Sequence, residues 1–184
     1  MSATLRLFIA AEPPAAVCDE LAQWARRAAG RSTHMRRLER DSLHLTLCFL
    51  SEQPAPLVAE IEAVLTAAAE LAAAVDELHV GAPAWLPPRR PRVLAVEVGD
   101  PSGALRDLHA ALSRDLADAI GWEPPRQRFR PHITLARMRA GEGRARELPP
   151  TPSLRFRPAA VTLLRSDLDP AGATYTELAS IPAG

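Results

Sequence analysis

The chain has 184 residues, 47% of them hydrophobic and 24% charged, enough for one ordinary domain or two small lobes sharing a core and too apolar for a disordered chain. Its 22 basic and 22 acidic residues cancel, which excludes a histone-like or general duplex-coating role. Every basic residue is arginine, and the two cysteines, Cys18 and Cys48, are too few for a disulfide framework and read as small buried thiols in a reducing compartment.

The first apolar run, Leu5 to Ala11, suits a strand, and Glu12-Pro13-Pro14 closes it too early for a signal peptide or a membrane span. The chain is therefore expected to be cytoplasmic, with no membrane contact. Pro13-Pro14 opens a helix that carries Val17, Leu21 and Trp24 at helical spacing and ends at Gly30. An arginine-rich loop holding Arg31, Arg36, Arg37 and Arg40 leads to a strand from Leu43 to Leu50. An alanine-rich helix over about 56–74 and a strand over 78–82 complete the first half.

A proline- and arginine-rich turn, Pro87 to Pro91, precedes a strand over 93–98. Asp100 and Pro101 read as the N-cap and first residue of a helix with the apolar stripe Leu105, Leu108, Leu112, Leu116 and Ile120, closed by Gly121. A strand over 131–135, a polar loop over 140–152 and closing strands near 161–165 and 173–178 follow.

The halves, roughly 1–85 and 86–184, match. Each runs strand, helix, loop and a strand bearing His-x-Thr-x: His44-Leu45-Thr46-Leu47 and His132-Ile133-Thr134-Leu135, 88 residues apart. The step from the middle of the preceding strand to the histidine is 37 residues in one half (Leu7 to His44) and 38 in the other (Leu94 to His132). The match predicts an internal duplication within a single bilobal domain. Alternation along a strand puts His44 with Thr46, and His132 with Thr134, on faces turned away from the apolar core.

Two histidines and two threonines meeting in one cleft suit acid–base work on a phosphodiester, since an imidazole changes charge near neutral pH and a hydroxyl can donate to a phosphate oxygen. Nothing in the cysteine, carboxylate or histidine spacing asks for a metal, so no metal or other cofactor is expected. His34, in a loop, and His79, on a short strand, have no partner motif, and His109 falls on an apolar stripe, which predicts packing. From Arg126 to Arg139 there are five arginines and no acid. Strand parity puts Arg130 on the face of His132 and turns Arg137 away, so Arg130 is the candidate phosphate contact.

On these residues the chain resembles the 2H phosphoesterases, and within them the RNA 2′,3′-cyclic phosphodiesterases, or 2′-5′ RNA ligase-like proteins. The resemblance runs through Arg6-Leu7-Phe8-Ile9-Ala10, Leu43 to Leu50, Arg90 to Leu94, Phe129 to Arg137 and Val161 to Ser166. It implies an α+β fold of two pseudo-symmetric lobes, with antiparallel-rich sheets flanking a central cleft and helices outside. It implies metal-independent opening of an RNA 2′,3′-cyclic phosphate end to a 2′-phosphomonoester, with His44 as proton donor, His132 as proton acceptor, and Thr46 and Thr134 holding the phosphate.

The implied partners are RNA ends or nucleotides with a 2′,3′-cyclic phosphate; no protein partner is inferred and a monomer is expected. The same site also suits reversible 2′-5′ ligation, hydrolysis of another small cyclic or 2′-5′ phosphodiester, or an RNA-end binding module without turnover. Two departures bear on substrate preference: Met35-Arg36-Arg37-Leu38 stands where the family often has an aromatic residue, and Ser51 stands where glycine is usual.

Overall fold

The computed structural model describes residues 3–30, 35–138, 147–169 and 172–183; the expectations for Arg31, His34, Arg139 and residues 140–146 lie outside them. In chain order the elements are β1 (Thr4–Glu12), α1 (Ala15–Ala29), β2 (Met35–Arg37), β3 (Leu45–Pro54), α2 (Val58–Ala67), α3 (Ala69–Ala73), β4 (Leu78–Leu86), β5 (Val93–Gly99), α4 (Ala104–Ile120), β6 (His132–Met138), β7 (Arg155–Phe156), β8 (Ala160–Asp169) and β9 (Gly172–Pro182).

Three local expectations change. The single helix over 56–74 is a 3-10 turn (Ala55–Leu57) followed by α2 and α3, broken at Ala68. The small side chains of Ala68 and Ala72 let the second segment drop onto the core, where both are buried. The arginine-rich loop contains a strand, β2, because Met35, Arg36 and Arg37 find ladder partners on β6. Asp100 sits three residues ahead of the N-cap, Gly103, yet still satisfies the helix start: its buried carboxylate accepts from the backbone N–H of Gly103 at 3.1 Å, Leu105 at 3.4 Å and Arg106 at 3.1 Å.

The strand order is β7-β4-β5-β6-β3-β1-β8-β9, with β2 added to β6, and every pairing is antiparallel. The sheet is two sub-sheets joined at a seam where β3 meets β6 through one residue pair, Leu45 with Ile133. This is the α+β, two-lobed, antiparallel architecture expected from the sequence.

The connectivity crosses the seam. In the first half, β1, α1 and β3 are followed by β4, which pairs with β5 rather than β1; in the second, β5, α4 and β6 are followed by β8, which pairs with β1 rather than β5. The helices cross too, with α1 against β6 and α4 against β3. Each lobe thus holds a strand and a helix from the other half of the sequence.

One core runs under both lobes on the helix side. It contains Leu7 and Ile9 of β1, Leu45 of β3, Ile133 of β6, Trp24 of α1, and Leu105, Leu108, Leu112 and Leu116 of α4. The Trp24 indole N–H donates to the Pro150 carbonyl at 2.9 Å, tying α1 to the segment before β7. The other face of β1 carries a small cluster of its own, Phe8 and Ala10 with Leu164 and Tyr175. That face holds the site. Among the described residues no helix is long and apolar enough to cross a membrane.

Candidate active site

The seam fixes the motifs. Leu45 and Ile133 are paired and buried in the core, so the residues on either side of them point to the opposite face. Antiparallel register then sets His44 across from Thr134 and Thr46 across from His132. By this alternation the four polar side chains take one side of the sheet, and of them His44 and Thr46 line the hollow described below.

Both imidazoles are held alike. Nδ1 of His44 meets the Ser42 carbonyl at 2.9 Å, and Nδ1 of His132 meets the Arg130 carbonyl at 2.8 Å. A carbonyl can only accept, so Nδ1 carries the proton in each ring and Nε2 of the neutral ring is left with a lone pair. The bond to a carbonyl two residues back locks ring orientation without a carboxylate.

The walls differ. Phe8 tilts over His44 with ring centroids 4.9 Å apart, and Tyr175 meets His44 edge-on at 5.2 Å. Burial between these rings pushes the His44 imidazole down to about 4, the Ser42 bond opposes that shift, and the charges of Arg137 and His132 add to it. His132 instead stands beside Glu97 on β5, whose carboxylate accepts from Arg130 at 2.8 Å.

A cavity of about 630 Å³, within the range of small-ligand sites, opens beside His44 and Thr46. Its wall includes Phe8, Phe49, Tyr175 and three arginines, Arg6, Arg36 and Arg137, with Asp169 at the same hollow. Arg36 and Arg137 are direct cross-strand partners. The pair places two guanidinium-bearing residues at the rim of the hollow. The Arg6 guanidinium lies 4.6 Å from the centre of the Phe49 ring.

Arg137 is therefore not turned away, as simple parity expected. On β6 the ladder slips at Leu135, between the pairs Leu94 with Ala136 and Ala95 with Thr134. The extra residue lets Leu135 and Ala136 both face the core and returns Arg137 to the side of His132. On β3 the same slip occurs at Leu47, and Phe49 returns to the side of His44. Phe49 and Arg137 follow their histidines by the same offset, a signal present in the sequence but hidden by the bulges. Arg130 lies on the expected face, but its guanidinium is engaged by Glu97.

Elsewhere, His109 stacks on Phe129 with centroids 4.0 Å apart, in keeping with a packing role. Cys48 contacts Ser113, and burial pushes its thiol up to about 12, which leaves it inert. His79 lies 3.6 Å from Glu77, away from the site. Ser51 stands in no turn: it lies within β3 beside a second register slip, at Leu50, and takes φ 62°, the left-handed conformation for which glycine is suited and which such a bulge uses. Among the described residues no group of three His, Cys, Asp or Glu is placed to hold a metal ion.

Residues 13–170 match the model of the 2′-5′ RNA ligase superfamily. The chain is 36% identical over 115 residues to the RNA 2′,3′-cyclic phosphodiesterase of Aeropyrum pernix, a stretch that is 62% of this chain and 61% of that relative. Its structure is similar to that of TT0787 of Thermus thermophilus, with TM-score 0.81, 27% identity and 97% of each chain covered. It is also similar to E. coli LigT in complex with 3′-AMP, with TM-score 0.73, 27% identity, and 98% of this chain and 99% of LigT covered. Fold, paired motifs and sequence agree: the chain belongs to the 2′-5′ RNA ligase superfamily of 2H phosphoesterases.

Proposed function

We propose that this protein hydrolyses RNA ends bearing a 2′,3′-cyclic phosphate to 2′-phosphomonoesters, without a metal. The observation that carries the reading is the matched pair of imidazoles, each fixed through Nδ1 to a carbonyl two residues back. Such a pair supplies one acid and one base to a single phosphorus. The activity named for the Aeropyrum pernix relative and the 3′-AMP bound by LigT fit the same chemistry.

In this reading His132 Nε2 takes a proton from water as its oxygen bonds to phosphorus. The bond from phosphorus to the 3′ oxygen breaks, and His44 Nε2 donates the proton that this oxygen needs. Thr46, Thr134 and Arg137 hold the non-bridging oxygens. Arg137 takes the phosphate role that parity alone would give Arg130, since Glu97 already engages Arg130.

His44 is neutral in the free protein and must be charged to donate. The phosphate anion provides for that. A negative charge bound beside the ring favours its charged form and raises the imidazole from about 4 toward neutral pH. The substrate thus arms its own general acid. We read the protein as a cytoplasmic monomer, in keeping with two free buried cysteines, and as the product of an internal duplication, in keeping with the mirrored strand order about the seam.

A short RNA with a 2′,3′-cyclic phosphate end, incubated with excess EDTA and followed by phosphorus NMR, tests this directly. The expected product is the 2′-monophosphate. A persistent cyclic signal overturns the hydrolase reading, and a 3′-monophosphate overturns the roles given to the two histidines.

A further inference from the structure

Next to the catalytic cavity lies a second hollow, of about 400 Å³. Its wall is built by the last turn of α1 and by β2, with Arg26, Arg36, Arg37 and Leu38 among its residues. Arg36 borders both hollows, so the two adjoin at one residue of β2. Arg40 also borders the second hollow, but Asp19, at 2.7 Å, and Asp41 neutralise it. Among the described residues Arg26 and Arg37 form no direct ion pair, although the Arg26 charge adds to that of Arg40 in holding Asp19 below its ordinary value, and Glu39 is the one acid in the wall. A chain with zero net charge therefore gathers a cationic surplus beside its reactive cavity.

We propose that this hollow holds the phosphodiester backbone of the RNA strand that carries the reacting end, so that the preferred substrate is an oligonucleotide rather than a free nucleotide. The inference rests on the function proposed above. Guanidinium groups grip phosphate with paired donors, and among the described residues the wall has no aromatic ring on which a base could stack. Backbone, not base, is what it fits. Affinity through this hollow is then independent of sequence and sensitive to salt.

The test compares two substrates, cytidine 2′,3′-cyclic phosphate and an octaribonucleotide ending in a 2′,3′-cyclic phosphate, on the wild type and on Arg26→Ala, Arg37→Ala and Arg37→Lys. The expected result is a KM for the octamer that rises roughly fivefold in each alanine variant, with the mononucleotide unaffected. Fluorescence anisotropy with an octamer ending in a 2′-phosphate, titrated with salt, should show the log–log slope shallower by about 0.7 for each arginine removed and restored by lysine. Equal losses on both substrates, or an unchanged salt slope, overturn the inference. If the wild type turns over neither substrate, the proposed function falls, and the anisotropy arm still decides whether the hollow binds backbone.

Discussion

The two His-x-Thr-x strands share a tetrapeptide, a carbonyl bond and a bulge, and differ in what surrounds them. His44 is walled by Phe8 and Tyr175; His132 stands beside the Glu97–Arg130 ion pair. After the bulge one strand presents an aromatic ring, Phe49, and the other a cation, Arg137. A duplicated motif therefore provides two imidazoles in matched poses, and the neighbouring strands make them unequal. In the mechanism proposed above, the division of labour between acid and base would belong to the walls and not to the motif.

The largest break in the comparison is removal of either ring. His44→Ala and His132→Ala are each expected to lower kcat by about 10²- to 10⁴-fold while the circular dichroism spectrum and Tm hold. Because both act in one proton relay, the double variant should be little worse than the poorer single one. Losses that multiply in full would show that the two rings work independently.

Next in size is the pair of arginines that flank His132. Arg137→Ala should cost about 10- to 100-fold in kcat/KM, the worth of a charged hydrogen bond to the reacting phosphate. Arg130→Ala should cost far less, since Glu97 already occupies its guanidinium. The reverse order in steady-state kinetics would return the phosphate contact to Arg130.

The depressed His44 gives a pH signature with a definite sign. Below the unfolded value of about 6.5 and above about 4, the unfolded chain binds a proton at His44 that the folded chain does not, so this residue makes stability fall as the pH drops through that window and has no effect above it. On going from pH 7 to pH 5, His44→Gln should lose about 2 kcal/mol less stability than the wild type in denaturant titrations. Inorganic phosphate should raise the His44 titration seen by NMR, and Tyr175→Ala should raise it without phosphate by opening one wall. A His44 titration that neither moves would remove the walls as the source of asymmetry.

The smallest effect concerns the second bulge of β3, beyond the first motif. Ser51 at φ 62° carries strain of about 1 kcal/mol that glycine relieves, so Ser51→Gly should raise stability by up to about that amount with kcat unchanged.

Much of this was legible from the residues. The tetrapeptides named the candidate site, strand alternation chose a face for it, and the α4 stripe found the core. What parity could not reach is the bulge: Leu47 and Leu135 each insert one residue, and Phe49 and Arg137 beyond them change side. The strand β2 was hidden because Arg36 and Arg37 lack apolar alternation and are ordered by their ladder with β6. Tyr175 reaches His44 only because β9 pairs with β8, a contact across the whole chain that no local pattern records.

The exchange of β4 and β8 across the seam has a consequence for synthesis. Strand β1 emerges from the ribosome first, yet its second edge is completed only by residues 160–165 of β8. At about 5–20 residues per second that edge stays open for of the order of ten seconds, with Leu7, Phe8 and Ile9 among its residues. No stretch of nascent chain short of β8 can close the N-terminal lobe. Stalled or truncated products ending before residue 160 should present an apolar strand edge and be captured by chaperones or aggregate, even though every strand of the other lobe, through β7, has by then been made.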